Sequence, residues 1–227
     1  MISENIKKID EKILQSCLKC SRNHSDIKLI AVSKMQSIET IREAFRAGIK
    51  EFGENKAQEL RDKSELIKED FNWHFIGHLQ TNKVKYVIKS AEYIHAVDSI
   101  KLAEEINNRS LQLNKIQKLL LEIKTSEEAT KFGLSNEDEI FSIAEFCKSK
   151  ANIDFIGLMT MAPFTDDDRI IRHCFKKLRD LKEKLNRNNF ALTELSMGMT
   201  NDFEIAIEEG ATMLRIGTAI FGDRKNN

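Results

Sequence analysis

The stretch Ile27-Lys28-Leu29-Ile30-Ala31-Val32-Ser33-Lys34 decides how this chain reads. It is a short, β-branched apolar run followed by a helical pattern, which predicts a buried strand over 27–33 with Lys34 projecting from its end. Seven further apolar runs lie at 50–53, 72–77, 93–98, 116–125, 153–159, 191–197 and 213–217. Amphipathic helices are predicted between them, over 37–48, 54–68, 81–90, 99–108, 136–150, 166–186 and 200–209, and one more helical segment, 2–22, precedes the first strand. Strand alternating with helix calls for a parallel sheet covered on both faces. Eight such units in 227 residues favour closure over an open sheet, because a single α/β barrel is commonly about 200–250 residues long. The expected fold is therefore α/β, a single domain (1–227) built as a (β/α)8 TIM barrel with an extra N-terminal helix. Few residues follow the eighth strand, so the N-terminal helix is expected to fill part of the gap in the outer ring.

Composition excludes several classes of partner. Lys+Arg and Asp+Glu both number 36, so the formal net charge is zero and no basic field favours nucleic acid or an anionic membrane. No apolar run approaches the ~20 residues needed to span a bilayer. The first ten residues are charged, unlike a secretory leader, and a cytoplasmic protein is expected. Cys17 and Cys20 form a Cys-x-x-Cys, but within a predicted helix and without a second pair at zinc-site spacing, so reduced structural thiols are expected there and at Cys147 and Cys174. His74 and His78 are four residues apart. His74 belongs to a predicted strand, where four residues span about 13 Å, so the two are not expected to share a metal. Proline occurs once, at Pro163, and no linker stands out.

The chemistry begins with Lys34. A partly desolvated lysine on a rigid scaffold loses its proton more easily and becomes a carbonyl nucleophile, which points to Schiff-base chemistry. A solvated lysine at a strand terminus is the ordinary alternative. The other end of the chain bears on that choice. The runs Leu195-Ser196-Met197-Gly198-Met199-Thr200 and Arg215-Ile216-Gly217-Thr218 finish strands in glycine and hydroxyl residues, whose exposed amides and hydroxyls suit a phosphate. The last strands of a barrel are a common place for one. Closure makes the ends of strands one and eight neighbours, so the ligand would carry both a carbonyl and a phosphate. Pyridoxal 5′-phosphate (PLP) fits that description. Arg215, two residues before Gly217, is expected to face the barrel interior. There it would meet either the pyridine nitrogen, disfavouring its protonation, or an interior acid such as Glu51 or Glu194.

Six motifs, in order, carry a resemblance over nearly the whole chain. They are Ala31-Val32-Ser33-Lys34, Phe52-Gly53-Glu54-Asn55, the stretch Trp73-His74-Phe75-Ile76-Gly77-His78-Leu79-Gln80-Thr81-Asn82-Lys83, Gly157-Leu158-Met159-Thr160-Met161, Leu195-Ser196-Met197-Gly198-Met199-Thr200-Asn201-Asp202, and Arg215-Ile216-Gly217-Thr218-Ala219-Ile220-Phe221-Gly222. Together they resemble the pyridoxal phosphate homeostasis proteins. That resemblance implies the barrel of alanine racemase, PLP bound through one lysine, and no established catalytic reaction. It implies Lys34 as the Schiff-base lysine, Ser196, Gly217 and Thr218 as phosphate ligands, Arg215 by the pyridine nitrogen and Asn55 near the ring. One strand departs from the pattern. Leu121-Glu122-Ile123-Lys124-Thr125 stands where the family usually has Gln-Val-Asn, so Lys124 replaces a neutral amide and ring contacts from this strand are open.

A racemase needs a base on each face of the substrate carbon, and alanine racemase draws one, a tyrosine, from a C-terminal β domain. The tyrosines here are Tyr86, in a predicted helix, and Tyr93, at the start of a predicted strand. The expectation is a binding protein that buffers or delivers PLP, with apo PLP-dependent enzymes as possible recipients, and a monomer by analogy with the fold. A PLP enzyme with weak racemase activity, its second base supplied by His78 or a partner subunit, is the alternative. A barrel enzyme whose phosphorylated substrate forms a transient Schiff base on Lys34, as in aldolases, is the third reading.

Overall fold

All eight apolar runs are strands in a computed structural model, which describes residues 1–126 and 132–222. The strands are β1 Lys28–Val32, β2 Glu51–Glu54, β3 Asn72–Phe75, β4 Ala91–Val97, β5 Gln117–Glu122, β6 Ile153–Met159, β7 Glu194–Ser196 and β8 Met213–Ile216. They pair in parallel, in sequence order, and close into a barrel. Closure is set by the β1–β8 pairing, in which Ile30 stands opposite Arg215 and Ala31 opposite Ile216. Side chains divide by the two-residue period of a strand. Ile30, Tyr93, Ala96, Leu120, Met159 and Met213 pack together in one buried cluster, while Ala31, Phe52, Phe75, Leu119, Leu121 and Leu214 belong to a larger one shared with the helices.

The helices are α1 Ile2–Lys19, α2 Ile38–Arg46, α3 Ala57–Leu66, α4 Val84–Val87, α5 Ile100–Gln112, α6 Glu137–Lys148, α7 Asp168–Arg187, α8 Phe203–Glu208 and α9 Thr218–Phe221. Several start where a polar side chain replaces a missing backbone partner. Ser37 accepts from the Thr40 amide, Ser99 from Leu102, Asn136 from Glu139 and Asp167 from Arg169. α1 buries Ile2, Ile6, Ile9, Ile13 and Cys17, a stripe at helical spacing, against α2, α8 and α9. Asn5 also donates to the Ile220 carbonyl at 3.0 Å. Each fully buried isoleucine of that stripe contributes roughly 2 kcal/mol of transfer free energy. The N-terminal helix thus occupies the outer ring beside β8, as expected.

Several boundaries differ from the sequence reading, three of them near the site or with a visible cause. The single helix expected over 81–90 is a 3₁₀ turn followed by the four-residue α4. Lys115 explains its early end, since its ammonium takes the Ile88 and Ala91 carbonyls and draws the chain into β4. α3 begins at Ala57 rather than 54, because Glu54 ends β2 and is fully buried. Lys34 lies in the turn after β1, which ends at Val32.

Candidate functional site

A cavity of about 630 Å³ opens at the C-terminal rim of the barrel. Lys34, Asn55, Arg215, Gly217 and Thr218 all line it. Ser196 does not. It is fully buried, and its hydroxyl is engaged by Arg215 and His95.

The Lys34 turn is clamped from below. Ser33 donates its hydroxyl to Glu54 Oε1 at 2.6 Å, and the Met35 amide donates to Glu59 Oε1 at 2.6 Å. Lys63 ties the two acids together, donating to Glu54 Oε1, Glu59 Oε1 and the Ser33 carbonyl, each at 2.7 Å. Met35 takes a left-handed φ of 63°, a conformation a side-chain-bearing residue keeps only when its surroundings hold it. Sequence reading quoted Glu54 within a motif but assigned no part to Lys63 or Glu59. The i, i+4 spacing of those two residues, with Glu54 at the end of a strand, was the available signal. Asn55 reaches the cavity because Gly77 lets the next rim loop pass against it. A Cβ at Gly77 would lie 2.2 Å from the Asn55 carbonyl oxygen.

The opposite wall is built by the ends of β7 and β8. β8 ends at Ile216, and α9 begins at Thr218, so Gly217 and Thr218 sit where the first helical amides lack intrahelical acceptors. Thr218 donates its hydroxyl to that of Thr200 at 3.1 Å, and Thr200 also lines the cavity. Thr200 is therefore the β7-side hydroxyl at the cavity, four residues beyond Ser196. The turn between them passes through Gly198, whose φ of 94° favours glycine.

Arg215 faces inward, as its position on β8 predicts. Its guanidinium donates to Ser196 Oγ at 2.5 Å and to the Thr160 carbonyl at 2.8 Å. Burial pulls its pKa down to about 10, opposed by Asp202 and Glu122, so it stays charged at neutral pH. Neither acid named for it from sequence is its partner. Glu51 pairs with His74, and Glu194 pairs with Lys28 and accepts from Thr212.

The β5 wall supplies a residue to which sequence reading gave no role. Glu122, rather than Lys124, lines the cavity and is 3% exposed. Among the described residues its Oε2 has no hydrogen-bond partner. Burial raises its pKa to about 7, Asp98 adding to the rise and Arg215 opposing it. Two-residue alternation from the interior Leu120 was the signal for this position. His78 lines the same cavity, stacks on Phe132 and stands 3.5 Å from Asp98, whereas His74 is buried in the barrel interior. Among the described residues no group of three or more His, Cys, Asp or Glu is placed to hold a metal.

Comparison with known proteins gives this geometry a context. Residues 9–225 match the family described as alanine racemase, N-terminal domain. A pyridoxal phosphate homeostasis protein of Aquifex aeolicus is 42% identical over 224 residues, covering 98% of each chain. One from Schizosaccharomyces pombe is 34% identical over 218 residues, covering 93% of this chain and 90% of its own. Among solved structures, PipY of Synechococcus elongatus with PLP bound superposes with a TM-score of 0.86 at 32% identity, covering 98% of this chain and all of its own. An alanine racemase of Clostridium difficile shares the fold at a TM-score of 0.77 and 16% identity, with 99% of this chain matching 58% of that one. The chain belongs to the pyridoxal phosphate homeostasis proteins, within the alanine racemase N-terminal domain family.

Proposed function

We propose that this protein binds PLP at the rim cavity and buffers or delivers it, with Lys34 holding the cofactor as a Schiff base. One observation carries the reading: an amine, a guanidinium and a pair of threonine hydroxyls, from opposite ends of the chain, line one cavity. The donor set matches the chemistry of the cofactor. Lys34 would hold the cofactor through its aldehyde, Gly217, Thr218 and Thr200 would hold the phosphate, and Arg215 would face the pyridine nitrogen. Asn55 would flank the ring, and Ser196 would act from beneath by holding Arg215. What the bound cofactor supplies is a carbonyl that traps amines reversibly. The residues named here bind and orient it. A charged arginine at the nitrogen cannot accept a proton from it and so weakens the ring as an electron sink, which supports carriage rather than catalysis. Phe164 at the cavity mouth is 93% exposed, which suits exchange of cofactor with solvent or with an apo-enzyme.

Purified protein loaded with PLP should show a visible Schiff-base band that borohydride bleaches and that Lys34→Ala lacks. A band that survives in Lys34→Ala would refute the assignment of the lysine. His78, paired with Asp98 in the same cavity, favours a second reading, weak racemase-type activity with His78 as a base. Exchange of an amino acid's α-proton in deuterated water, lost in His78→Gln, would establish it.

A further inference from the structure

A line of polar side chains runs through the barrel interior and ends on Arg215. Glu51 Oε2 lies 2.6 Å from His74 Nε2, and His74 Nδ1 lies 2.9 Å from His95 Nε2. His95 Nδ1 lies 2.8 Å from Ser196 Oγ, which accepts from Arg215 Nη1 at 2.5 Å. His74, His95 and Ser196 are fully buried, and Glu51 is outside the residues that line the cavity. Interior polar groups of this kind are costly unless each finds its partner.

The direction of every hydrogen bond is set by the two ends. A guanidinium has donors only, so Ser196 Oγ accepts from Arg215 and its own proton goes to His95 Nδ1. A neutral His95 then carries its proton on Nε2 and donates to His74 Nδ1. His74, neutral in turn, carries its proton on Nε2 and donates to Glu51. Starting from the carboxylate, which has acceptors only, gives the same assignment. Both rings are kept neutral chiefly by burial, which lowers the pKa of each. Glu51 opposes the shift at His74, while the positive charges of Arg215 and Lys28 add to it at His95. Tyr93 holds the plane of the His74 ring by stacking on it at 4.3 Å.

We propose that Glu51, His74, His95 and Ser196 form a polarised relay that orients Arg215 and couples the Glu51 charge to the guanidinium at the cavity. These are positioning residues; only Arg215 reaches the cavity. Each bond in such a chain strengthens its neighbours, so removing charge at one end weakens the grip at the other. The consequence for a bound ring rests on the PLP reading, but the relay itself is a property of the protein without cofactor.

The test begins with cofactor-free protein carrying ¹⁵N-labelled histidine, observed by long-range ¹H–¹⁵N correlation at neutral pH. His74 and His95 are expected as neutral Nε2–H tautomers. Either ring found as Nδ1–H or as imidazolium overturns the relay, and this measurement needs no variant. Glu51→Gln keeps an acceptor oxygen but removes the charge. It is expected to shift the His95 nitrogens, which Glu51 does not touch, and unchanged His95 signals overturn the coupling. In PLP-loaded protein, Glu51→Gln should displace the visible band, and the same substitution in a Ser196→Ala background should displace it no further. Equal displacement in both backgrounds means the charge acts around the relay rather than through it, and overturns it. A wild-type protein with no visible band at all rejects the cofactor reading instead and leaves the tautomers to decide the relay.

Discussion

Glu54 and Glu122 are two buried carboxylates on the rim of one barrel, and they sit in opposite circumstances. Burial raises the pKa of both. In the β1–β2 sector Glu54 is pulled back by Lys63 and by the Ser33 hydroxyl, which bond the same oxygen. Each acid also has a second oxygen without a hydrogen-bond partner among the described residues, but at Glu122, in the β5 sector, the neighbouring Asp98 pushes the pKa further up, to about 7, with Arg215 opposing it. The contrast separates two uses of a carboxylate. Glu54 is spent on structure, holding the turn that carries Lys34. Glu122 faces the cavity and remains able to change charge near neutral pH.

The largest effect should come from breaking the paired carboxylate. Lys63→Met strands Glu54 without its ammonium and should cost about 3–5 kcal/mol in chemical denaturation. A loss below about 1 kcal/mol would show that Glu54 does not depend on its cation and would remove the contrast.

Glu122→Gln should act in the other direction and only at high pH. A carboxyl whose folded pKa is raised from 4.5 to about 7 binds more protons in the folded state. The wild-type protein therefore loses stability as pH climbs through that window. Relative to wild type, cofactor-free Glu122→Gln should gain on the order of 3 kcal/mol near pH 8 and almost nothing near pH 4. Parallel stability–pH curves for the two proteins would place the Glu122 pKa in the ordinary range.

Gly77→Ala tests the wall between the two sectors. Its methyl would press the Asn55 carbonyl away from a 2.2 Å approach, at a cost of about 1–3 kcal/mol. PLP affinity should fall with stability if Asn55 flanks the ring, and a stability loss with unchanged affinity would remove Asn55 from the site. The smallest effect belongs to Ser37→Ala, which removes the cap of α2 just beyond the Lys34 turn. It should cost about 1 kcal/mol in thermal unfolding. The Schiff-base band should be unchanged, because the Lys63 clamp rather than the cap holds Lys34. A shifted band would transfer that role to the helix.

Much of this was legible in the residues. β6 falls at 153–159, as read from its apolar run, and α1 buries the stripe its periodicity announced. Lys34, Asn55, Arg215, Gly217 and Thr218 meet at one cavity because strand ends of a closed parallel barrel share a rim. Ser196 and Thr200 show where such reading stops. Both are hydroxyls flanking Gly198, and motif order does not say which one the turn lifts to the cavity. Helix 81–90 failed for a related reason, since its end is decided by Lys115, a residue far along the chain.

Hydrophobic period and turn chemistry are local properties, so the chain by itself determined eight strands, most of the helices between them, and the lysine and hydroxyl residues at the strand ends near its two termini. Partnership is not local. That Lys63 bridges Glu54 and Glu59, that Glu122 is left facing the cavity, and that Glu51 reaches Arg215 through two histidines were decided only when closure brought distant strands together. Burial there removed water as the default partner, so each polar atom had to take what the interior offered or go without.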